Sequence, residues 1–274
     1  MLKKQFYKTT AACLMAVASS LASAHVNIAT ENLFSLGDDG REYLEGKSAF
    51  ISLNLPHSCS DANRNHYPTT DVVLILPNSM ALSADFYTKN RHTGEMYPAN
   101  AVMGTKARVS RNWRKVKVVK GNVSPFYSHG LKDTDTRAIK WLGGHVDNDH
   151  YDNLEIKTKF PKIDPASCVG ELRVEMPAIQ YCKEGYVTAW IGTTGSARFP
   201  QDGPKLRLEE TYVPYFKVVR DVTKNPYPAN CAVDDQGNVI AESQTIRPTD
   251  ADIDIFGGRD RHEKKHKDDK EDND

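Results

Sequence analysis

Short apolar runs, stopped by proline or by polar turns, set the pattern of this chain. Residues 48–55 and 71–76 are apolar-rich and end at Pro56 and Pro77, which predicts two strands. Similar runs lie at 115–119, at 153–160 with alternating Leu154, Ile156 and Thr158, at 171–176 and at 186–191. No stretch sustains a helical apolar period for three turns. Several short strands joined by long turns predict an all-β fold, an antiparallel sandwich of the immunoglobulin type. From about residue 205 the pattern changes. Leu206–Leu208 and Tyr212–Val219 read as further strands, and Pro- and Asn-rich sequence then leads away, so residues 209–258 are expected to form a C-terminal extension. Nearly every residue from Arg259 to Asp274 is charged, with both signs mixed, and 259–274 is expected to be a disordered tail. His262 and His266 within it offer weak metal scavenging, but a solvated tail is the simpler reading.

The start of the chain carries a different signal. Lys3, Lys4 and Lys8 precede an apolar run from Ala11 to Leu21, and Ala22-Ser23-Ala24 supplies the small residues that signal peptidase requires. The run is far shorter than the roughly 20 apolar residues that span a bilayer, so it reads as a cleaved signal peptide (1–24) and not as an anchor. Cys13 lies inside the run, which argues against lipidation there. The expected mature protein is periplasmic, has no membrane span and begins at His25. About 250 residues remain, the size of one large domain or of a domain plus an extension.

Composition then narrows the partners. Lys+Arg and Asp+Glu both number 36, so no net field attracts nucleic acid or an anionic membrane. Cys59, Cys168, Cys182 and Cys231 remain after cleavage, an even number in an oxidising compartment, which predicts two disulfides with three possible pairings. None of their spacings is a tight chelating one, so neither a zinc site nor a thioredoxin-like centre is expected.

The first mature residue carries the most specific chemistry. A residue with a free α-amine and an imidazole side chain grips one metal ion through both groups. Two nitrogens from one residue, with a third donor from elsewhere, suit the tetragonal preference of Cu(II). The α-amine releases its proton near neutral pH, so this chelate forms under physiological conditions.

Several stretches, in order, carry a resemblance. His25-Val26-Asn27-Ile28, Leu55-Pro56-His57-Ser58-Cys59, Pro68-Thr69-Thr70-Asp71-Val72, Ile139-Lys140-Trp141-Leu142-Gly143-Gly144 with Tyr151-Asp152, and Pro177 to Trp190 together resemble the YcnI-like family of extracytoplasmic copper-binding domains. Trp113 stands where that family often has Gly-Trp. The likeness spans roughly residues 25–208 and implies an immunoglobulin-like sandwich. It implies that His25 forms a mono-histidine brace on Cu(II), with Trp190 beside the metal as a shielding ring. Part of the family has a glutamate where Ser58 stands, so His57 becomes the candidate third donor, against the simpler reading of a turn histidine bonded to backbone. Glu31 is a weaker oxygen candidate, because the family's early acidic residue is offset by one position. The resemblance also implies that Cys59 pairs with Cys182, leaving Cys168 with Cys231.

For the other distinctive residues the simpler reading leads. Trp113 and Trp141 are expected to be core anchors. His145, Asp147, Asp149 and His150 form a polar turn more readily than a second metal site. Gly143-Gly144 lacks the following helix of a phosphate cradle, and no G-x-S-x-G occurs. The leading function is therefore a non-enzymatic periplasmic protein that holds Cu(II) and exchanges it with another periplasmic copper protein or a copper transporter. A structural or adhesive sandwich and a copper-dependent oxidative enzyme are the alternatives, the latter because copper monooxygenases use a related brace.

Overall fold

A computed structural model of the protein describes residues 27–29 and 42–259. The expected signal peptide, His25, Glu31 and residues 260–274 of the expected tail lie outside the described residues. The described chain runs β1 (Asn27–Ala29), β2 (Glu42–Leu44), β3 (Ser48–Leu55), β4 (Cys59–Ser60), β5 (His66–Tyr67), β6 (Thr69–Ile75), β7 (Phe86–Lys89), β8 (Met96–Pro98), β9 (Met103–Ala107), β10 (Lys115–Tyr127), β11 (Leu131–Val146), β12 (Asp152–Lys159), β13 (Lys162–Ile163), β14 (Val169–Glu175), β15 (Ala178–Cys182), β16 (Val187–Trp190), β17 (Leu206–Glu209), β18 (Tyr215–Val219) and β19 (Glu242–Ile246). One helix, α1 (Asp250–Phe256), follows.

The fold is an all-β sandwich. One layer is a six-stranded sheet in the order β10-β11-β6-β15-β16-β17; opposite it lie two four-stranded sheets, β1-β3-β12-β9 and β19-β14-β18-β2. A single core joins the layers. Val72, Leu74, Ile139, Trp141, Ala178 and Trp190 come from the six-stranded sheet, and Leu53, Leu55, Leu154, Ile156, Val174 and Phe216 from the facing sheets. Strict alternation produces this in β3, where Ile51, Leu53 and Leu55 are buried and the intervening residues are more exposed. Trp113 and Trp141 are core residues as expected, 3% and 1% exposed. The Trp113 Nε1–H donates to Asp152 Oδ2 at 2.7 Å, which satisfies the one polar atom its burial would otherwise strand.

The outer face of the six-stranded sheet is also covered. Val73, Ile75, Ile179, Tyr181, Ala189 and Ile191 pack there against Phe199, Leu208 and Ile253. Residues 209–258 contribute Ile253 to this cover and extend the facing layer: β18 pairs antiparallel with β14, β19 pairs parallel with β14 on its other side, and α1 lies on the outer face. Thr249 caps α1, with its side chain accepting from the Asp252 N–H while the Asp252 carboxylate accepts from the Thr249 N–H.

Arg137 shows how a local irregularity serves that packing. Along β10 and β11 the register passes from Val119↔Ala138 to Lys120↔Thr136, so Arg137 is the extra residue of a β-bulge. Alternation would point it inward with Ile139 and Trp141; the bulge re-aims it outward. There its guanidinium pairs with Asp252, donates to the Asn122 carbonyl oxygen at 2.6 Å and lies 4.8 Å from the centre of the Phe256 ring. Gly144, which follows Gly143 near the end of β11, meets a different demand. A Cβ there would stand 2.6 Å from the Trp113 ring, so only glycine lets that indole lie flat on the strand.

Candidate functional site

The end of β3 leads through Pro56 into the turn Pro56–Ser60, and two devices fix that turn against the six-stranded sheet. The first is covalent: Cys59 is bonded to Cys182 at the end of β15, with the Cα atoms 6.1 Å apart. The second is polar. Gln180, fully buried on β15, donates through Nε2 to the His57 carbonyl oxygen at 2.7 Å and to Thr69 Oγ1 at 2.5 Å. The second disulfide joins Cys168 to Cys231 and ties the 220–241 segment to the start of β14. Both pairings are those the resemblance implied.

His57 follows directly. Its Nδ1 lies 2.7 Å from the Ser58 carbonyl oxygen. A carbonyl only accepts, so Nδ1 carries the proton, and in the neutral ring the lone pair is on Nε2. A ligating imidazole is typically oriented this way, by donating its other N–H to a backbone carbonyl. The backbone bond of the turn-histidine reading is present, and it is the same bond that would orient the ring of a ligating histidine.

Ser58 is no substitute for a carboxylate. It is 1% exposed, and its hydroxyl donates to the Cys59 carbonyl oxygen at 3.4 Å. The carboxylate nearest in sequence, Asp61, is committed to its own turn. It accepts from the Asn63 and Asn65 N–H groups and the Asn65 amide, each at 2.9 Å, and from the Tyr67 hydroxyl at 3.1 Å. These bonds, the Asn65 amide first, hold its carboxyl below the usual range. Tyr67 stacks on Tyr186 with ring centres 3.7 Å apart, and the neighbouring Tyr186 phenol is the main influence that raises its own above the ordinary value.

Trp190 ends β16 on the inner face, 1% exposed. Its neighbour strand pairs Gln180 with Thr188 and Ala178 with Trp190, so Gln180 and Trp190 are diagonal neighbours on one face. His57 and Trp190 are therefore linked through Gln180, whose amide binds the His57 backbone. The Gln180 Oε1 and the Trp190 Nε1–H are both buried and have no hydrogen-bond partner among the described residues. Buried polar atoms in a native core are rarely left so. A donor and an acceptor stranded on the same face mark this region as one where further polar groups belong. Sequence reasoning missed Gln180 as a site residue, although a glutamine in an otherwise apolar strand, Ala-Ile-Gln-Tyr-Cys, is a visible signal.

The other candidates are dispersed. His145 Nε2 lies 3.1 Å from Asp147 Oδ1 on the surface. No cluster of three or more His, Cys, Asp or Glu able to hold a metal occurs among the described residues, and His25 and Glu31 are outside them. No helix among the described residues is long and apolar enough to cross a membrane.

Comparison with known proteins supports the middle of the chain. Residues 95–208 match the family model described as "Domain of unknown function (DUF1775)", which is the family of the YcnI-like domains. The matched span includes Trp113, Trp141, Cys182 and Trp190 and stops short of His57 and Cys59. A solved structure from Nocardia farcinica, described as an uncharacterized protein with an immunoglobulin-like fold, is similar at 13% identity, covering 64% of this chain and 91% of that one with a TM-score of 0.36. No curated protein matches the chain.

Proposed function

We propose that the mature protein is an extracytoplasmic copper carrier that holds Cu(II) through the His25 α-amine and imidazole, with His57 as third donor and Trp190 shielding the metal. The observation that carries this reading is the anchored His57. Its Nδ1–H is given to the Ser58 carbonyl, and its turn is clamped by Gln180 and by the Cys59–Cys182 disulfide. The register of β1 supports it: Asn27 lies opposite Asn54 and the strands run antiparallel, so the N-terminal end of β1 faces the Pro56–His57 end of β3. His25 precedes Asn27 by two positions, a reach of at most about 7 Å.

The residues fit a nitrogen-rich Cu(II) site. Nε2 of His57 is the lone-pair nitrogen, and no carboxylate of the Pro56–Tyr67 turn is unengaged. Copper held there would supply a Lewis-acid centre with an accessible one-electron couple. The chain's own part is to hold His57 rigidly and to keep a dry indole beside the site. Two disulfides agree with an oxidising compartment, as the expected signal peptide requires. Binding and hand-over need no catalytic group. The carrier reading is therefore preferred to the oxidative enzyme.

The test is His57→Ala in protein that begins at His25. Electron spin echo modulation of the Cu(II) complex is expected to show two coupled imidazoles in the native protein and one in the variant, with affinity at least tenfold weaker. Two imidazoles in both forms would exclude His57 as a donor.

A further inference from the structure

At the end of the sandwich opposite His57 lies a cleft of about 720 Å³ with an uncompensated positive charge. Lys47, Lys89, Arg91, Lys159, Lys162 and Lys224 line it, contributed by the turn before β3, the β7–β8 hairpin, the β12–β13 connection and the loop after β18. Its two carboxylates are occupied. Glu45 accepts from the Ile163 N–H at 2.6 Å, from the Asn225 amide at 2.8 Å and from the Asp221 N–H at 3.1 Å; Asp221 pairs with Lys224 at 2.9 Å. Lys47, Lys89, Arg91, Lys159 and Lys162 have no ion pair with a carboxylate among the described residues.

Lys159 is the most telling of these. It is half-buried, and among the described residues its ammonium donates only to Thr88 Oγ1, at 3.4 Å. Burial first, then the neighbouring Arg91 and Lys162 charges, push its pKa down. The stem of Lys162 is also held in place: it crosses Gly46, where a Cβ would stand 2.8 Å from Lys162 Cγ. Cations gathered around one cavity repel each other unless an anion is expected there.

We propose that this cleft binds an anionic ligand carrying two or more phosphate groups. Lysine ammoniums are compact point charges that suit the tetrahedrally arranged oxygens of phosphate, and five of the six cations lining the cleft are lysines. The volume falls in the range of small-molecule sites and exceeds what a single phosphate fills. Four separate segments bring the charges together, so the site is a product of the fold and not of one basic run. It is distinct from the copper reading. Lys159 is paired with Ser48 at the start of β3, while His57 follows its other end, about 23 Å further along the strand.

Inorganic tripolyphosphate titrated calorimetrically into the metal-free mature protein is expected to bind one equivalent. Lys89→Glu/Lys162→Glu, at two exposed positions, is expected to weaken it at least tenfold with thermal unfolding unchanged. Lys115→Glu, an exposed position on β10 in register with Leu142, Asp71 and Tyr181 toward the Cys59–Cys182 end of the sandwich, is expected to have no effect. Lys159→Gln provides a second reading, and tripolyphosphate is expected to raise the Lys159 ammonium titration seen by NMR. Co-sedimentation with phosphatidate vesicles that the double variant abolishes would identify a lipid headgroup as the source; tripolyphosphate binding without vesicle binding would identify a free phosphate compound. Absent binding, equal binding to the double variant, or citrate bound as tightly as tripolyphosphate would each overturn the proposal.

Discussion

Asp252→Asn isolates the contact that locks the C-terminal segment onto the sandwich. The amide oxygen of asparagine still accepts from the Thr249 N–H, so the helix cap survives, but Arg137 loses its counter-charge. Both partners are nearly buried, with side chains 8% and 9% exposed. Removing one member of such a pair leaves an uncompensated buried charge and costs about 3–5 kcal/mol. For a chain of this size that lowers Tm by about 10 °C. Arg137→Met removes the other charge and also the bond to Asn122 and the contact with Phe256, so a similar loss is expected. The double variant should be far less damaged than the sum, with a coupling of about 2 kcal/mol or more. Urea unfolding followed by the fluorescence of the three buried tryptophans, disulfides intact, measures all four corners of the cycle. Single losses below about 1 kcal/mol, or losses additive within about 0.5 kcal/mol, would show that the pair behaves as a surface contact and that the bulge at Arg137 has another purpose.

Two further perturbations follow from the same packing. Gly144→Ala places a methyl group 2.6 Å from the Trp113 ring and should destabilise by about 1–3 kcal/mol, with a changed Trp emission; an unchanged midpoint would mean that the indole yields freely. Burial raises the Tyr181 phenol from 10.0 to about 12. The neutral phenol is favoured in the folded state, so its contribution of up to about 3 kcal/mol is present below pH 10 and lost between pH 10 and pH 12. Tyr181→Phe, which also loses the 2.6 Å bond to the Gly257 carbonyl, should flatten that part of the alkaline stability profile; a profile with the same slope in both proteins would refute the assignment.

The strands whose patterns are local were legible. Residues 48–55, 71–76, 153–160 and 171–176 alternate or run apolar between prolines and turns, and β3, β6, β12 and β14 lie there. β11 was not, although it is the longest strand. Its first half is polar, the bulge at Arg137 breaks its alternation, and Lys140 is buried because its ammonium donates to the Gly258 carbonyl, 118 residues later. Nothing near Lys140 announces that partner. Residues 220–258 were obscure for the same reason, since β19 pairs in parallel with β14 across a long connection and its largely exposed residues carry no clear period. At the candidate site, His57 and Trp190 both came from the resemblance. Gln180, which joins them, is visible only once the register of β15 and β16 is known.

The brace at His25 is the central claim, and its most direct test is Cu(II) titration followed by electron paramagnetic resonance in two proteins, one beginning at His25 and one carrying a single extra residue before it. The account predicts one tightly held copper with a nitrogen-rich tetragonal spectrum in the first and loss of that species in the second, because a blocked α-amine cannot chelate. Identical spectra and affinities in the two, or no specific binding in either, would contradict it.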